Sequence, residues 1–164
     1  MVDWMIEVLT NFKCDDDTFF MAINIMDRFF EAKESSITAA ELHKIGVTSM
    51  FIASKYEDYH PIKMKVVHER ITHKKISIDE IKECELKIMV TLKYEIPVPN
   101  VLEFMKVLMQ QVLNINHYGK KSLKKEEKDK FLTMKSNTME GTKLLIYRVC
   151  LYLAKMAMHD YEIC

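Results

Sequence analysis

Several groups of residues come close to the types and spacings that do chemistry. His68-Glu69-Arg70-Ile71-Thr72-His73 gathers two imidazoles and a carboxylate, the ingredients of a zinc-activated water. A zinc-protease helix needs its histidines at i and i+4, so that both rings meet one ion. Here they stand at i and i+5, which on a 3.6-residue helix turns the second ring about 140 degrees from the first. Gly119-Lys120-Lys121 resembles the end of a phosphate-binding loop, but Asn114 replaces the earlier glycine and Lys121 the magnesium-binding hydroxyl. Asp15-Asp16-Asp17 offers carboxylates but too few oxygen ligands at fixed spacing for a cation. These three acids read as a solvated turn that puts negative charge at the start of the next helix, where the dipole favours it. Ser, His and Asp are scattered without a Gly-x-Ser-x-Gly turn to expose a nucleophile. Three glycines cannot make a dinucleotide fingerprint. Neither an enzyme, nor a metal site, nor a cofactor is expected.

The informative residue is an acid on an apolar stripe. Ile81, Cys84, Ile88 and Leu92 recur at i, i+3, i+7 and i+11 and define the buried side of one helix. On a wheel with Ile81 at zero, Glu85 falls at about 40 degrees, within that stripe. An unpaired carboxylate would be costly to bury there. Either Glu85 sits at the margin and reaches water, or it has a partner. Lys55, with Lys44 and Thr48, belongs to a polar strip of an earlier helix, where a solvated lysine is the ordinary reading. If the two helices are neighbours, Lys55 and Glu85 would instead form a polar spot on an apolar surface, suited to docking another protein's helix end.

The elements that must carry these residues are helices. Only three Gly and three Pro punctuate 164 residues, and Leu, Met, Lys, Glu, Ile and Ala dominate. Apolar periodicity predicts helices over about Val2–Lys13, Thr18–Ala32, Thr38–Glu57, Lys63–Arg70 and Ser77–Leu92. Thr38 with Glu41, and Ser77 with Glu80, have the spacing of capping boxes. The third helix is apolar nearly all round and should be the hub. Gly46 in its middle costs about 1 kcal/mol against Ala, which a close approach by another helix would explain. Pro97-Val98-Pro99 forces an extended joint. Further helices are expected over about Asn100–Leu113, Phe131–Asn137 and Thr142–His159, the last two flanking Gly141. Residues 114–130 form a polar surface connection with six Lys against three acids from Lys120 to Lys130.

Twenty-four basic and 24 acidic residues cancel, which argues against a nucleic-acid partner. No run nears the roughly 18 apolar residues of a membrane span, and four dispersed cysteines read as reduced thiols. Nuclear or cytoplasmic residence is the expectation.

With these residues in hand the sequence resembles a cyclin, closest to the mitotic A and B types and nearer the B type. The matching runs are Val2-Asp3-Trp4, Ile25-Met26-Asp27-Arg28-Phe29 and Ile52-Ala53-Ser54-Lys55-Tyr56-Glu57-Asp58, continued by Glu85 and Leu92-Lys93-Tyr94-Glu95. The resemblance implies an all-α cyclin fold: a five-helix box over residues 1–99 around a buried third helix, then a partial second box over 100–164 with a Lys-rich insertion near 114–130. It implies a non-catalytic regulatory subunit that binds and activates a cyclin-dependent protein kinase during the cell cycle, at the onset of mitosis. The alternative is a cyclin-fold scaffold of the transcription-factor kind.

By the same resemblance, Lys55 and Glu85 contact the kinase beside its C helix, and Tyr56, Tyr94 and Ile96 line the adjoining apolar surface. Met1, Trp4, Glu7, Leu42 and His43 match a groove that docks short motifs of substrates or inhibitors, with His43 where a Gln is usual. Met1 matches the last position of a Met-Arg-Ala-Ile-Leu run, and Asp27 is left without the Arg that pairs with it in the family. No membrane partner is implied.

Overall fold

The computed structural model of the protein describes residues 1–33, 38–113 and 139–159, and all regular structure among them is helical. α1 spans Val2–Asn11, α2 Asp16–Glu31, α3 Ala39–Glu57, α4 Met64–Val66, α5 Ile78–Thr91, α6 Val101–Leu113 and α7 Met139–Ala157. α4 runs directly into one wide π turn, Val67–Ile71. The chain divides into two compact units, Met1–Asn100 and Val101–Cys164. Among the described residues, no helix is long and apolar enough to cross a membrane.

The first unit is built around α3. Ten consecutive residues, Ile45 through Ser54, are buried, so every face of the helix is covered over that length. α2, α5, α1 and the π turn pack on it. Nine of the sixteen residues of α2 are buried, and Ile81, Cys84 and Ile88 turn the stripe of α5 inward. Each large aliphatic or aromatic side chain so enclosed contributes roughly 1.5–3 kcal/mol of transfer free energy.

Several polar groups inside this core are hydrogen-bonded, although the buried Ser49 hydroxyl finds no partner among the described residues. The Thr48 hydroxyl donates to the Lys44 carbonyl at 2.8 Å, and the Ser54 hydroxyl accepts from the Ile62 amide at 2.8 Å. Asp58, just past α3, accepts from the Asp15 amide at 3.1 Å and the Thr18 hydroxyl at 2.8 Å, tying the α1–α2 turn to the end of the hub.

Both capping boxes are present: Thr38 and Glu41 close the start of α3, Ser77 and Glu80 the start of α5. Asp15 stands at the N-cap position of α2 without a side-chain capping bond, and Asp16 and Asp17 lie in its first turn. α1 ends at Asn11, short of the expected Lys13, because Lys13 turns left-handed (φ 57°) and the Cys14 amide returns to the Leu9 carbonyl at 3.0 Å. The helix expected over Lys63–Arg70 becomes α4 plus the π turn. There the Thr72 amide reaches back five residues to the Val67 carbonyl at 2.9 Å.

The close approach at Gly46 is real, but it comes from a side chain: a β-carbon there would stand 2.7 Å from the Met1 terminal methyl. Gly141 does not separate two pieces; it is the third residue of α7. The stretch 114–130 and the helix expected over Phe131–Asn137 lie outside the described residues.

Candidate functional site

Lys55 and Glu85 meet. The ammonium of Lys55, in the last turn of α3, forms an ion pair with Glu85 Oε1 in the middle of α5. The same ammonium lies 4.4 Å from the centroid of the Phe51 ring one turn earlier, which adds a cation–π contact and orients the side chain. The pair stays partly wet, with Lys55 39% and Glu85 22% exposed. An ion pair this open contributes little to folding. It leaves hydrogen-bonding capacity facing outward.

Several apolar side chains on the same elements are exposed. Tyr56 is 49% exposed and Tyr94 60%. Leu86 and Val90, at i and i+4 on α5, are 59% and 55% exposed. Neither was singled out from the sequence; on the helix wheel both fall opposite the buried stripe, on another face of α5 from Glu85. Ile96, expected on this apolar surface, is instead buried at 1% exposure.

The backbone explains that difference. Lys93 and Tyr94 both adopt left-handed conformations (φ 54° and 63°), and the Tyr94 amide donates to the Met89 carbonyl at 2.8 Å. The chain reverses there, leaving the Tyr94 ring outside while Ile96 returns to the interior. Arg28 of α2 holds the reversal by donating from Nη1 to the Glu95 carbonyl at 2.7 Å. Nothing in the sequence signals this clamp, since its acceptor is a main-chain carbonyl that any residue would provide.

A second cluster lies toward the other end of α3. The Trp4 and His43 rings pack with centroids 4.7 Å apart. Burial, and then the positive charge of Lys75, hold the His43 imidazole below its ordinary pKa. Met1 reaches across Gly46, three residues on from His43 and therefore on the same side of α3. Leu42 is half-buried beside it, and Glu7 is exposed one turn after Trp4 on α1.

Asp27 is half-buried, and its carboxyl is pushed above the usual range by desolvation. Burial, reinforced by hydrogen bonding to Asp58 and by that carboxylate's charge, pushes the Cys14 thiol up to about 12, so at neutral pH it is an unreactive thiol. Among the described residues no three His, Cys, Asp or Glu side chains group closely enough to hold a metal ion. His68 uses Nδ1 locally, 2.9 Å from the Ile76 carbonyl.

Residues 1–97 match the family model described as the cyclin N-terminal domain. The chain belongs to the cyclin family. Among individual relatives of this cyclin, the S-phase entry cyclin-5 of Saccharomyces cerevisiae is 36% identical over 106 residues, 65% of this chain and 24% of its own length. The G2/mitotic-specific cyclin-B of Emericella nidulans is 38% identical over 107 residues, again 65% of this chain and 22% of its own length. A putative cyclin-A3-1 of Arabidopsis thaliana aligns over 162 residues at 28% identity, 99% of this chain and 38% of the relative. This cyclin thus spans between about a fifth and two fifths of the length of these relatives. The match to the family model covers both the Lys55–Glu85 pair and the Trp4–His43 stack.

Proposed function

We propose that this cyclin is a non-catalytic regulatory subunit that binds and activates a cyclin-dependent protein kinase in the nucleus or cytoplasm, with B-type relatives favouring a role at the onset of mitosis. The observation that carries the reading is the Lys55–Glu85 pair, partly open to solvent, with exposed Tyr56 next to Lys55 in the chain and exposed Tyr94 just past α5. Such a spot can receive the polar end of a partner's helix, with the exposed aromatic rings available for apolar contact.

Activation follows from differential binding. A cyclin that grips only the inward position of the kinase's C helix shifts the kinase toward that state. The C-helix glutamate then pairs with the phosphate-binding lysine, and the activation loop can order. Trp4, His43 and their neighbours form a separate surface for short motifs of substrates or inhibitors.

Co-purification with candidate cyclin-dependent kinases, followed by phosphorylation of a basic test substrate, tests the reading directly. Within an active pair, Lys55→Ala and Glu85→Ala should each weaken the complex by about 2–5 kcal/mol on isothermal titration, because the contact desolvates a charge whose partner has gone. Thermal stability of the free cyclin should barely move. Losses in binding below about 0.5 kcal/mol for both variants would remove these residues from the interface.

A further inference from the structure

The segment leading into α5 is rich in basic residues. From Lys63 to Lys75 it carries five Lys and Arg and two His against one acid, Glu69, in a chain whose formal net charge is zero. Lys65 meets that acid at 3.8 Å. Among the described residues, Lys63, Arg70, Lys74 and Lys75 have no ion-pair partner.

The end of this segment is fixed in shape. His73 and Lys74 are left-handed (φ 48° and 62°). The Lys74 amide donates to the His68 carbonyl at 2.8 Å and the Lys75 amide to the Thr72 carbonyl at 2.9 Å. The Thr72 hydroxyl also donates to the His68 carbonyl, at 2.8 Å. His73, Lys74 and Lys75 therefore stand exposed on a backbone already ordered, so a ligand meeting them need not order that backbone.

The turn leads into α5, which packs beside α3, the helix that carries His43 of the aromatic pair. Two residues after Lys75, Ser77 caps α5, and the first turns of α5 share a cleft with the beginning of α3: Lys44 and Ile45 line it with Glu80, Glu83 and Cys84. His43, next to Lys44, carries the stack with Trp4. Lys75 is near enough for its charge to be felt at the His43 ring.

We propose that this region selects acidic peptides: an apolar side chain seats on Trp4 and His43, and carboxylates that follow it meet His73, Lys74 and Lys75. Glu7, exposed on α1, repels acids from its own side and so sets the direction in which the acidic end runs. The inference rests on reading Trp4 and His43 as a docking surface and adds the charge of what docks. In a chain of zero net charge, a basic strip this short suits a peptide better than a nucleic acid, which would call for a broader positive footprint.

Fluorescence anisotropy on the full chain, without kinase, tests this with three labelled dodecapeptides that share a Leu-x-Phe anchor followed by four Glu, four Ser or four Lys. The Glu peptide should bind at least about tenfold tighter than the Lys peptide at low salt, and the advantage should shrink as salt rises. The double substitution K74E/K75E should reverse the order while the helical circular dichroism stays unchanged; Lys75→Gln alone should reduce the preference. Trp4→Ala should weaken all three peptides.

If the Ser peptide binds in a Trp4-dependent manner but Glu and Lys peptides bind equally, the docking surface stands and the charge selection is overturned. Failure of all three peptides to bind, or Glu-peptide binding indifferent to Trp4→Ala, sinks the docking reading itself. An oligothymidylate that outcompetes the Glu peptide at equal concentration would overturn the inference in favour of nucleic acid.

Discussion

The two units handle apolar surface in opposite ways. In Met1–Asn100 a central helix is covered on every side over ten residues, and the helices around it keep most of their large apolar groups inside. In Val101–Cys164 the described helices α6 and α7 pack on each other, yet each leaves an apolar stripe uncovered. On α6 it is Val101, Phe104 and Leu108, all at least 42% exposed. On α7 it is Leu145, Val149, Tyr152 and Met156, all at least 48% exposed. Two helices can cover only one strip of each other, because the contact between cylinders is narrow. A hub needs neighbours on all sides. Sequence hydrophobicity alone does not distinguish these cases; the number of packing partners does.

The largest effect that could break this contrast is core truncation. Ile52→Ala, at a side chain 1% exposed in α3, should cost about 2–5 kcal/mol, a large part of the ~5–15 kcal/mol that holds a domain together. Val149→Ala in the α7 stripe, 48% exposed, should stay within about 0.5 kcal/mol. Urea titrations followed by circular dichroism would measure both. Comparable losses at the two positions would mean that the α7 stripe is covered in solution and that the contrast is false.

A smaller effect sharpens the account of how the hub is started. Glu41 completes the capping box of α3 and also meets Lys33 at 3.2 Å. Bonds from the Thr38 backbone, then from Lys33 and the Thr38 hydroxyl, lower its carboxyl from 4.5 to about 2. Because the folded-state value is depressed, the contribution is complete above pH about 4.5 and is lost as pH falls toward about 2. Stability measured across that window should fall less steeply for Glu41→Gln than for the parent; identical slopes would assign the acid sensitivity elsewhere.

The smallest effect is expected at Gly46. Alanine there gains up to about 1 kcal/mol of helix propensity. It must displace only the flexible tip of Met1. Gly46→Ala should therefore raise the melting temperature slightly while moving Met1 off α3. A clear loss of stability would show that Met1 is held more firmly than a side-chain tip should be.

Much of the first unit is legible in its sequence, because the signals there are local or periodic. The two capping boxes depend on residues three apart, and the hub announces itself by apolar residues on every face. The position of Glu85 inside a buried stripe pointed to a partner if the two helices were neighbours, and Lys55 occupies that place. Features fixed by backbone geometry are not legible. A five-residue hydrogen bond in the π turn has no residue signature, and the Arg28 clamp ends on a carbonyl that is the same in every amino acid. Ile96 illustrates the same limit: two left-handed residues before it decide whether it faces solvent or interior, and neither Lys nor Tyr advertises that conformation.

The Lys93–Tyr94 reversal also bears on any attempt to harden this protein. Glycine is the residue that rests most easily at such dihedral angles, so selection for heat resistance alone would favour it at both positions. At Lys93 that exchange removes nothing from the exposed aromatic rim. At Tyr94 it would delete the ring that the reversal holds outward, so the hardier chain would be the one with less to offer a partner.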